Sequence, residues 1–500
     1  MNRIRHIMTC ILCLGAMLEG MAQDYDAVRR RNLWNGTANI AGIRKDTLDR
    51  GEAKASVNNE NRDLIISGEA KHKVSAGVEA ASIIHLQKFS LDGKLGFRHE
   101  EQFAACGNMS ARPGYFPISF YEFTPGRKTR QTYDIDGTIA ADISQKLTIG
   151  AGIDYTAENY TKRKDLRHTN YLLDMKFSAG AIWHGENRSL GLSYSFAKIA
   201  ETITAEELGI SSGTYIAFID KGYGFGTRGR WDNSGLHLKE SGVSGSPIKE
   251  YSHSIAFQMQ EKNGTIIEAI AGIDKGQSGE KQKIWYDFGG YRFGLHAAHK
   301  WDGPSADNYL KARLDIRTQT NDENVLVEET SGGVTTTHIY GSNRVLSREW
   351  VTAGLDCERI SHDGEYLFTR FTYRHETGLA SVHYPFLYGV NIDEVKFHTG
   401  VMKRIGKSIE IRFDFILNKG WLKESKRTIE LAPRPSKRPD NLYEYQHWIM
   451  DYRLNLKRRA DLEARYVFKN GIYVGLQAGY LLSYFNGYSV FESIRIGYSF

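Results

Sequence analysis

The sequence predicts an all-β protein, a transmembrane antiparallel up-and-down β-barrel of about 18 strands, with roughly 14 to 18 compatible with the pattern. Three observations support this prediction: apolar and polar residues alternate at period two, prolines avoid the alternating segments, and short connections alternate with long ones. Successive side chains of a strand point to opposite faces. No stretch of about 18 apolar residues occurs, which excludes a helical membrane protein.

Residues 1–22 are predicted to be a signal peptide, because Arg3 and Arg5 precede an apolar stretch that ends in small residues. Residues 23–50 follow as an N-terminal periplasmic or hatch segment. Residues 51–500 are predicted to form the barrel. An N-terminal core helix is the alternative for the first segment, but no amphipathic period supports it.

The alternating runs are long, as membrane-spanning strands of about 9–11 residues must be. Both termini of such a barrel should be periplasmic, so the strand number should be even. The run 444–468 keeps one parity throughout and is predicted to be one long strand rising beyond the membrane. In chain order the runs are 51–62, 75–87, 89–103, 129–143, 146–160, 170–183, 188–203, 249–261, 265–276, 281–300, 307–320, 345–361, 365–377, 390–403, 407–418, 444–468, 472–484 and 488–500.

The connections predict two different ends of the barrel. Short polar turns such as 144–146 and 469–471 are expected on the periplasmic side, and long external loops on the other side. All nine prolines fall outside the predicted strands, as expected because proline cannot donate to a strand ladder. The predicted long loops are 104–127, 204–247, 321–343 and 419–443.

The C-terminus ends in an alternating apolar row that includes Ile496, Tyr498 and Phe500. A terminal aromatic residue in this setting resembles the insertion signal of bacterial outer-membrane barrels. The resemblance implies that the barrel-assembly machinery recognises these three residues.

Short motifs along the mature chain resemble an uncharacterised Bacteroidota family of outer-membrane β-barrels of about 500 residues. The motifs are Trp34-Asn35-Gly36, Asn39-Ile40-Ala41-Gly42, Glu79-Ala80-Ala81-Ser82, Lys88-Phe89-Ser90-Leu91-Asp92-Gly93, Asp165-Leu166-Arg167 and the final Phe500. The second motif is also similar to the Asn-Pro-Ala-Gly stretch of fatty-acid-channel barrels, with Ile40 in the place of proline. The resemblance implies the fold, a Gram-negative outer-membrane location and no catalytic residues.

Charged residues on the polar face of the strands are predicted to line the lumen, because charges facing lipid cost several kcal/mol. Lys311, Arg313 and Arg317 form a local positive ladder that could select solutes. A mutually paired wall without selectivity is the alternative for each single residue. The candidates are Asp134, Asp136, Asp154, Glu158, Lys311, Arg313, Arg317, Arg412 and Asp414.

The segment 104–127 combines aromatic residues with three prolines. Folded inward it would constrict the pore, folded outward it would dock another protein, and it could also pack on itself. The aromatic candidates are Tyr115, Phe116, Phe120, Tyr121 and Phe123.

Two basic clusters flank the predicted outer ends of strands. Contact with lipid A phosphates is one interpretation, because lysine and arginine bind phosphate well, and a solvated rim is the other. The residues are Arg127, Lys128, Arg130, Lys162, Arg163, Lys164 and Arg167.

These features predict a porin-like outer-membrane channel for diffusion or uptake of a small solute. The alternative is a non-conducting structural or accessory subunit of a complex with a surface lipoprotein or transporter. No enzyme activity and no cofactor are expected, and a net charge of +6 indicates no nucleic-acid partner. Lipid and lipopolysaccharide are the expected surroundings. Cys106 and Cys357 could form a disulfide, but independent thiols are expected of a mature chain with so few cysteines.

Overall fold

The structure is a computed structural model in which only part of the chain is placed well enough to describe. The described residues are 31–45, 49–63, 69–164, 167–206, 215–232, 235–236, 246–280, 283–383, 386–406, 408–428, 442–484 and 487–499. The predicted signal peptide 1–22 and the terminal Phe500 therefore lie outside the described residues.

Eighteen long antiparallel strands form one closed barrel, which confirms the predicted fold class. Each strand pairs with its neighbours in the chain, β7 pairs with β11 across the longest connection, and β1 pairs with β21 to close the sheet. Closure leaves no edge strand exposed. The barrel strands are β1 Arg50–Arg62, β2 His72–His85, β3 Phe89–Asn108, β4 Ser119–Ser144, β5 Leu147–Lys162, β6 Arg167–His184, β7 Arg188–Glu206, β11 Ser246–Glu261, β12 Thr265–Glu280, β13 Lys283–Asp302, β14 Ala306–Ser331, β15 Val334–Ser361, β16 Tyr366–His383, β17 Phe386–Ile405, β18 Ile409–Arg427, β19 Lys457–Val467, β20 Ile472–Ser483 and β21 Gly487–Ser499.

Three further strands lie between β7 and β11 and form a small sheet at one end of the barrel. They are β8 Tyr215–Asp220, β9 Gly226–Asp232 and β10 Gly235–Leu236. β8 pairs with Ser119–Tyr121, the first residues of β4. This pairing holds the small sheet beside the tall end of β4.

The two ends of the barrel differ. The turn end carries the start of β1, the end of β21 and tight turns such as Gln145-Lys146. The loop end carries the small sheet, the connection 109–118 and a helix, α1 Leu442–Leu454. Among the described residues, no helix has the length and apolar character needed to cross a membrane.

All four predicted long loops are wrong in extent, mainly because strands continue beyond the alternating core of the runs. β18 reaches Arg427 within 419–443, and β8 to β10 lie within 204–247. β3 reaches Asn108 and β4 begins at Ser119, so only 109–118 is a loop. The segment 321–343 is mostly a tall hairpin whose turn is Gly332-Gly333. Both glycines have positive φ, of 60° and 78°, which the tight turn requires.

The single strand predicted over 444–468 is also wrong. Residues 442–454 form the helix α1, and β19 begins only at Lys457. β20 ends at Ser483, which pairs with Lys457, the first residue of β19. The residues that precede Lys457 therefore have no part of β20 beside them to pair with. A helix satisfies those backbone groups internally instead.

The outer face of the barrel exposes apolar side chains, and the inner face is polar and charged with apolar clusters near both ends. Cys106 is buried and Cys357 is exposed, and no disulfide joins these two described residues. The exposed outer residues include Val57, Val78, Leu95, Ile139, Phe177, Leu192, Ile255, Phe293, Leu314, Leu355, Phe371, Phe413, Leu462, Leu476 and Ile494.

Candidate functional site

The lumen at the turn end contains residues 31–45, which we call the hatch. The hatch consists mainly of two short 3-10 helices, Leu33–Gly36 and Ile40–Lys45. The Trp34 side chain is only 1% exposed and donates a hydrogen bond from Nε1 to Oε1 of Gln260 on β11, at 2.5 Å. The hatch is thus fixed to the inner wall rather than lying free in the opening.

Asn39 makes the most extensive polar contact between the hatch and the wall. Its Nδ2 donates to the carbonyl oxygen of Ala181 at 3.0 Å and to Oε1 of Gln258 at 3.1 Å. Its Oδ1 accepts a hydrogen bond from the Ala41 amide at 3.2 Å. Next to it, the Ala38 amide donates to Oε1 of Glu268 at 2.7 Å. These bonds connect the hatch to β6, β11 and β12.

Three wall glycines let the hatch approach the backbone of the barrel. A Cβ at Gly180 would lie 2.2 Å from Oδ1 of Asn39, and one at Gly150 would lie 2.9 Å from the Ala41 backbone. A Cβ at Gly191 would lie 2.8 Å from both Nδ2 of Asn39 and the Trp34 ring. These distances are shorter than real Cβ contacts, so the seat requires glycine at all three positions.

We expect Asn39→Ala to loosen the hatch without unfolding the barrel. The substitution removes the bonds to Ala181 and Gln258 and leaves the buried Gln258 oxygen without that donor. Leaving a buried group unsatisfied costs about 1–3 kcal/mol, so trypsin cleavage after Arg44 or Lys45 should accelerate about tenfold or more. Asn35→Ala, on the other hatch helix, is the matched control and should leave cleavage near the wild-type rate. Equal cleavage of both variants would contradict this assignment.

A cavity of about 580 Å³ remains between the hatch and strands β12 to β15. Leu33 and Thr37 of the hatch form one side, and Ile266, Ala297 and Arg313 contribute to the other. Its volume falls within the range of roughly 300–1,000 Å³ typical of small-molecule sites. The cavity is therefore large enough to hold a small solute beside the hatch.

The connection 109–118 folds into the lumen at the loop end, which is the inward alternative of the three considered. Phe116 is 3% exposed and packs edge-on against Phe288 of β13, with ring centroids 6.1 Å apart. The Ala111 amide donates to Oε1 of Glu201 at 2.7 Å. Tyr115 donates its hydroxyl to Oε1 of Glu250 at 3.0 Å, and burial together with this carboxylate raises the pKa of Tyr115.

The other aromatic candidates of this segment lie on β4. Phe120 is fully buried and belongs to the same apolar cluster as Phe116. Tyr121 stacks with Phe123, and both pack near Phe218 of β8 and Ile449 of α1. The aromatic residues therefore join the loop, the small sheet and the helix into one body at the loop end.

Ion pairs fix the helix α1 to the wall of the lumen. The Arg453 guanidinium lies 2.5 Å from Oε2 of Glu376 on β16 and 2.7 Å from Oε1 of Glu394 on β17. Burial lowers the pKa of Arg453, but the hydrogen bonds and charges of the two carboxylates outweigh burial and raise it. Tyr223, beside the small sheet, also donates to Glu376 at 2.8 Å.

The structure places all nine predicted lumen residues on the inner face. Many of them are paired: Glu158 with Arg112, Lys311 with Glu358, and Arg412 with Asp414. Asp154 pairs with Lys176, and Arg317 lies 3.4 Å from Asp274. Asp134 accepts from Thr156, and Asp136 is half-buried among other carboxylates. Arg313 lines the cavity beside the hatch.

The lipid A interpretation is wrong for three of the basic residues. Lys128 and Lys162 have fully buried side chains on either side of Glu122, and Lys162 donates to its Oε2 at 2.5 Å. Arg130 points inward, donates to the carbonyl oxygen of Ala111 at 2.8 Å and stacks on Tyr160. Strand parity places these cations inside the barrel. Of the other four, Arg127, Arg163 and Lys164 are exposed and Arg167 is half-buried.

The C-terminal strand closes the barrel. Ile496 pairs in register with Ala55 and is 57% exposed on the outer face, and Tyr498 pairs with Ala53. Any recognition by the assembly machinery remains the prediction made from the sequence.

Sequence reasoning did not find the glycine seat. Asn39 appears in the sequence analysis only as part of a motif, and Gly150, Gly180 and Gly191 carry no prediction of their own. All three have the inward parity of β5, β6 and β7, which is a usable signal. Parity alone does not show which distant segment packs against them.

Comparison with known protein families shows which family the chain belongs to. The model of a family of unknown function, DUF6850, matches residues 41–500. The chain belongs to this family. The match begins inside the hatch and includes the whole barrel, so the hatch seat lies within the DUF6850 region.

Solved structures of other barrels resemble this DUF6850 chain only distantly. The CymD monoaromatic hydrocarbon channel is 10% identical, with 96% of this chain and 94% of that chain covered and a TM-score of 0.32. The siderophore receptor PiuA from Acinetobacter baumannii is 7% identical, with 91% and 82% covered and a TM-score of 0.41. OccAB4 from Acinetobacter baumannii is 9% identical, with 91% and 98% covered and a TM-score of 0.33. Similarity this weak supports no functional argument, and no curated protein matches the sequence.

Proposed function

We propose that this protein is an outer-membrane channel for diffusion or uptake of a small solute, closed at the turn end by its hatch. The observation that supports this proposal is the combination of a hatch that is separate from the strand ladder and a cavity beside it. The hatch contributes no strand to the closed sheet, and a solute-sized space lies between it and the wall.

The outer face supports a membrane location. Monomeric soluble proteins rarely expose contiguous apolar patches larger than a few hundred Å². Here exposed apolar side chains recur around the barrel, for example Leu192 at 54%, Phe293 at 54% and Ile494 at 56%. On β6 the exposed rings of Tyr171 and Trp183 lie near opposite ends of the strand, as in the aromatic girdles of membrane barrels.

The way the hatch is held is suited to gating. Hydrogen bonds from Trp34, Ala38 and Asn39 hold it, and each contributes about 0.5–1.5 kcal/mol net. The buried side chains of the hatch also pack against apolar wall residues, and Arg44 forms an ion pair with Asp142 at 2.7 Å. The strand ladder around it is continuous from β4 to β7 without its help. Opening would therefore break the contacts of the hatch with the wall but none of the pairings between barrel strands.

A non-conducting accessory subunit is the second candidate, and one observation favours it. The loop end is filled by the connection 109–118, the small sheet and α1, which are held by apolar packing and by the ion pairs of Arg453. A barrel filled at both ends serves well as a rigid membrane support for a partner. The filled loop end is compatible with a channel only if solutes pass beside these segments.

Liposome swelling tests the proposal. The full chain, purified in detergent and reconstituted, should admit small neutral solutes and exclude large oligosaccharides, with a slow rate that reflects infrequent opening of the hatch. The folded state of the reconstituted protein is verified by its heat-modifiable migration in gels. A folded barrel that admits no solute of any size would refute the channel and support the accessory role.

A further inference from the structure

The cavity beside the hatch contains an arginine that forms no ion pair with any carboxylate in the described part of the chain. Arg313 lines the cavity from β14 and is exposed. Its NH2 group lies 3.5 Å from Oγ1 of Thr372, a distance at which the bond is weak. No carboxylate of the described residues lies within 4.0 Å of its guanidinium.

The other charged residues that line the cavity are already engaged. Nζ of Lys311 lies 3.0 Å from Oε2 of Glu358. Glu268 binds the Ala38 amide, the Gln258 side chain and His296. One oxygen of Asp356 accepts from Nε of Arg370 at 2.8 Å, and its other oxygen is buried without a hydrogen-bond partner in the described ranges. Arg313 is thus the lining charge that is available to a ligand.

The wall beside Arg313 combines a glycine, polar groups and some apolar surface. Gly354, its partner on β15, has no side chain, and a Cβ there would lie 2.6 Å from Nε of Arg313. The guanidinium therefore lies along the wall across this glycine. Leu33 from the hatch and Ile266 and Ala298 from the strands form apolar surface in the same cavity.

We infer that this cavity is a binding site for a small organic monocarboxylate, with the carboxylate on Arg313 and an apolar body against the hatch and wall. A guanidinium presents a planar fork that binds a carboxylate through two parallel hydrogen bonds. One unmatched positive charge fits a monoanion, and the apolar lining fits an organic group better than a bare inorganic ion.

The ligand would touch the hatch and the wall together, because the cavity lies between them. As the solute class of the channel, this inference rests on the proposed function. As a binding site it is independent of conductance, so the two can be tested separately.

Isothermal titration calorimetry on the full chain in detergent tests the site with benzoate, benzyl alcohol and benzylamine, which are similar in size and differ in charge. We expect benzoate to bind at least about tenfold more tightly than the alcohol and the amine to bind more weakly still. Inorganic phosphate should bind much more weakly than benzoate. Equal affinity for benzoate and benzyl alcohol, phosphate binding as tight as benzoate, or no benzoate binding would each overturn the inference.

Two substitutions of Arg313 locate the binding. Arg313→Gln should weaken benzoate binding about tenfold or more, and Arg313→Lys should retain part of the affinity because it keeps the charge. Arg98→Gln, at an exposed arginine of β3 outside the cavity lining, is the control and should bind as wild type. Unchanged binding in Arg313→Gln would overturn the site. Benzoate binding without liposome swelling would refute the channel alone, and swelling without benzoate binding would refute the site alone.

Discussion

Replacing Gly180 by leucine should expel the hatch from its seat and raise the rate of solute entry into liposomes. The first added atom, Cβ, would lie 2.2 Å from Oδ1 of Asn39 and 3.0 Å from its Cγ. The strand cannot retreat, because Gly180 is held in register by Gly150 of β5 and Ser193 of β7. The hatch is not part of the strand ladder, so it moves instead.

The size of this effect follows from the bonds that are lost. Displacing Asn39 breaks its bonds to Ala181 and Gln258 and separates Ala38 from Glu268. At about 1 kcal/mol each, these losses should raise the population of the open state by more than tenfold. The rate of liposome swelling should rise by a similar factor.

Gly137→Leu on β4 is the matched control. Apart from a methyl of Ile153 at 4.0 Å, a Cβ at Gly137 meets nothing nearby, so the added side chain should fit on the outer face. This variant should swell liposomes at the wild-type rate. If Gly180→Leu also behaves as wild type while the barrel is folded, the hatch does not limit solute entry.

The second large effect is expected from a charge placed on the outer face. Ile139 of β4 is 47% exposed and lies within the apolar row that runs from Tyr133 to Ile143. Ile139→Arg should lower the free energy of unfolding in lipid vesicles by about 2–4 kcal/mol, the cost of arginine near the bilayer midplane. Urea titration followed by tryptophan fluorescence measures this loss.

Thr156→Arg provides the control on the inner face of the adjacent strand. Thr156 donates to Oδ1 of Asp134. Asp154 and Asp136 lie opposite each other in the pairing of β5 with β4. An arginine there meets carboxylates rather than lipid and should change stability little. Equal destabilisation by both substitutions would show that the outer face of β4 does not contact lipid.

The barrel could be predicted from the sequence because alternation at period two is a local signal. The pattern gave the place of nearly every barrel strand, and strand ends differed mainly where tall hairpins continue, as at 306–331 and 334–361. The helix α1 could not be predicted in this way. Its residues Trp448, Met450 and Tyr452 also follow strand parity. Whether they form a strand depends on a neighbouring strand to pair with, and the end of β20 opposite Lys457 is a property of the whole sheet.

The site was less predictable than the fold. Parity placed Arg313 and Glu158 on the inner face. It could not show that Glu158 forms an ion pair, or that Arg313 has no carboxylate within 4.0 Å among the residues that the structure describes. Likewise, the sequence pattern indicates surface charges at Lys128 and Lys162, and only the fold shows that both contact the buried Glu122. Each outcome depends on contacts between residues distant in sequence, which no local pattern contains.

Single-channel conductance in planar bilayers tests the central claim, a membrane-spanning barrel closed by its hatch. The measurement compares the full chain with a chain lacking residues 31–45, which retains all the barrel strands because β1 begins at Arg50. We predict rare, brief openings for the full chain and long-lived, larger conductance steps without the hatch. Identical traces from the two folded proteins, whether both closed or both open, would contradict the claim.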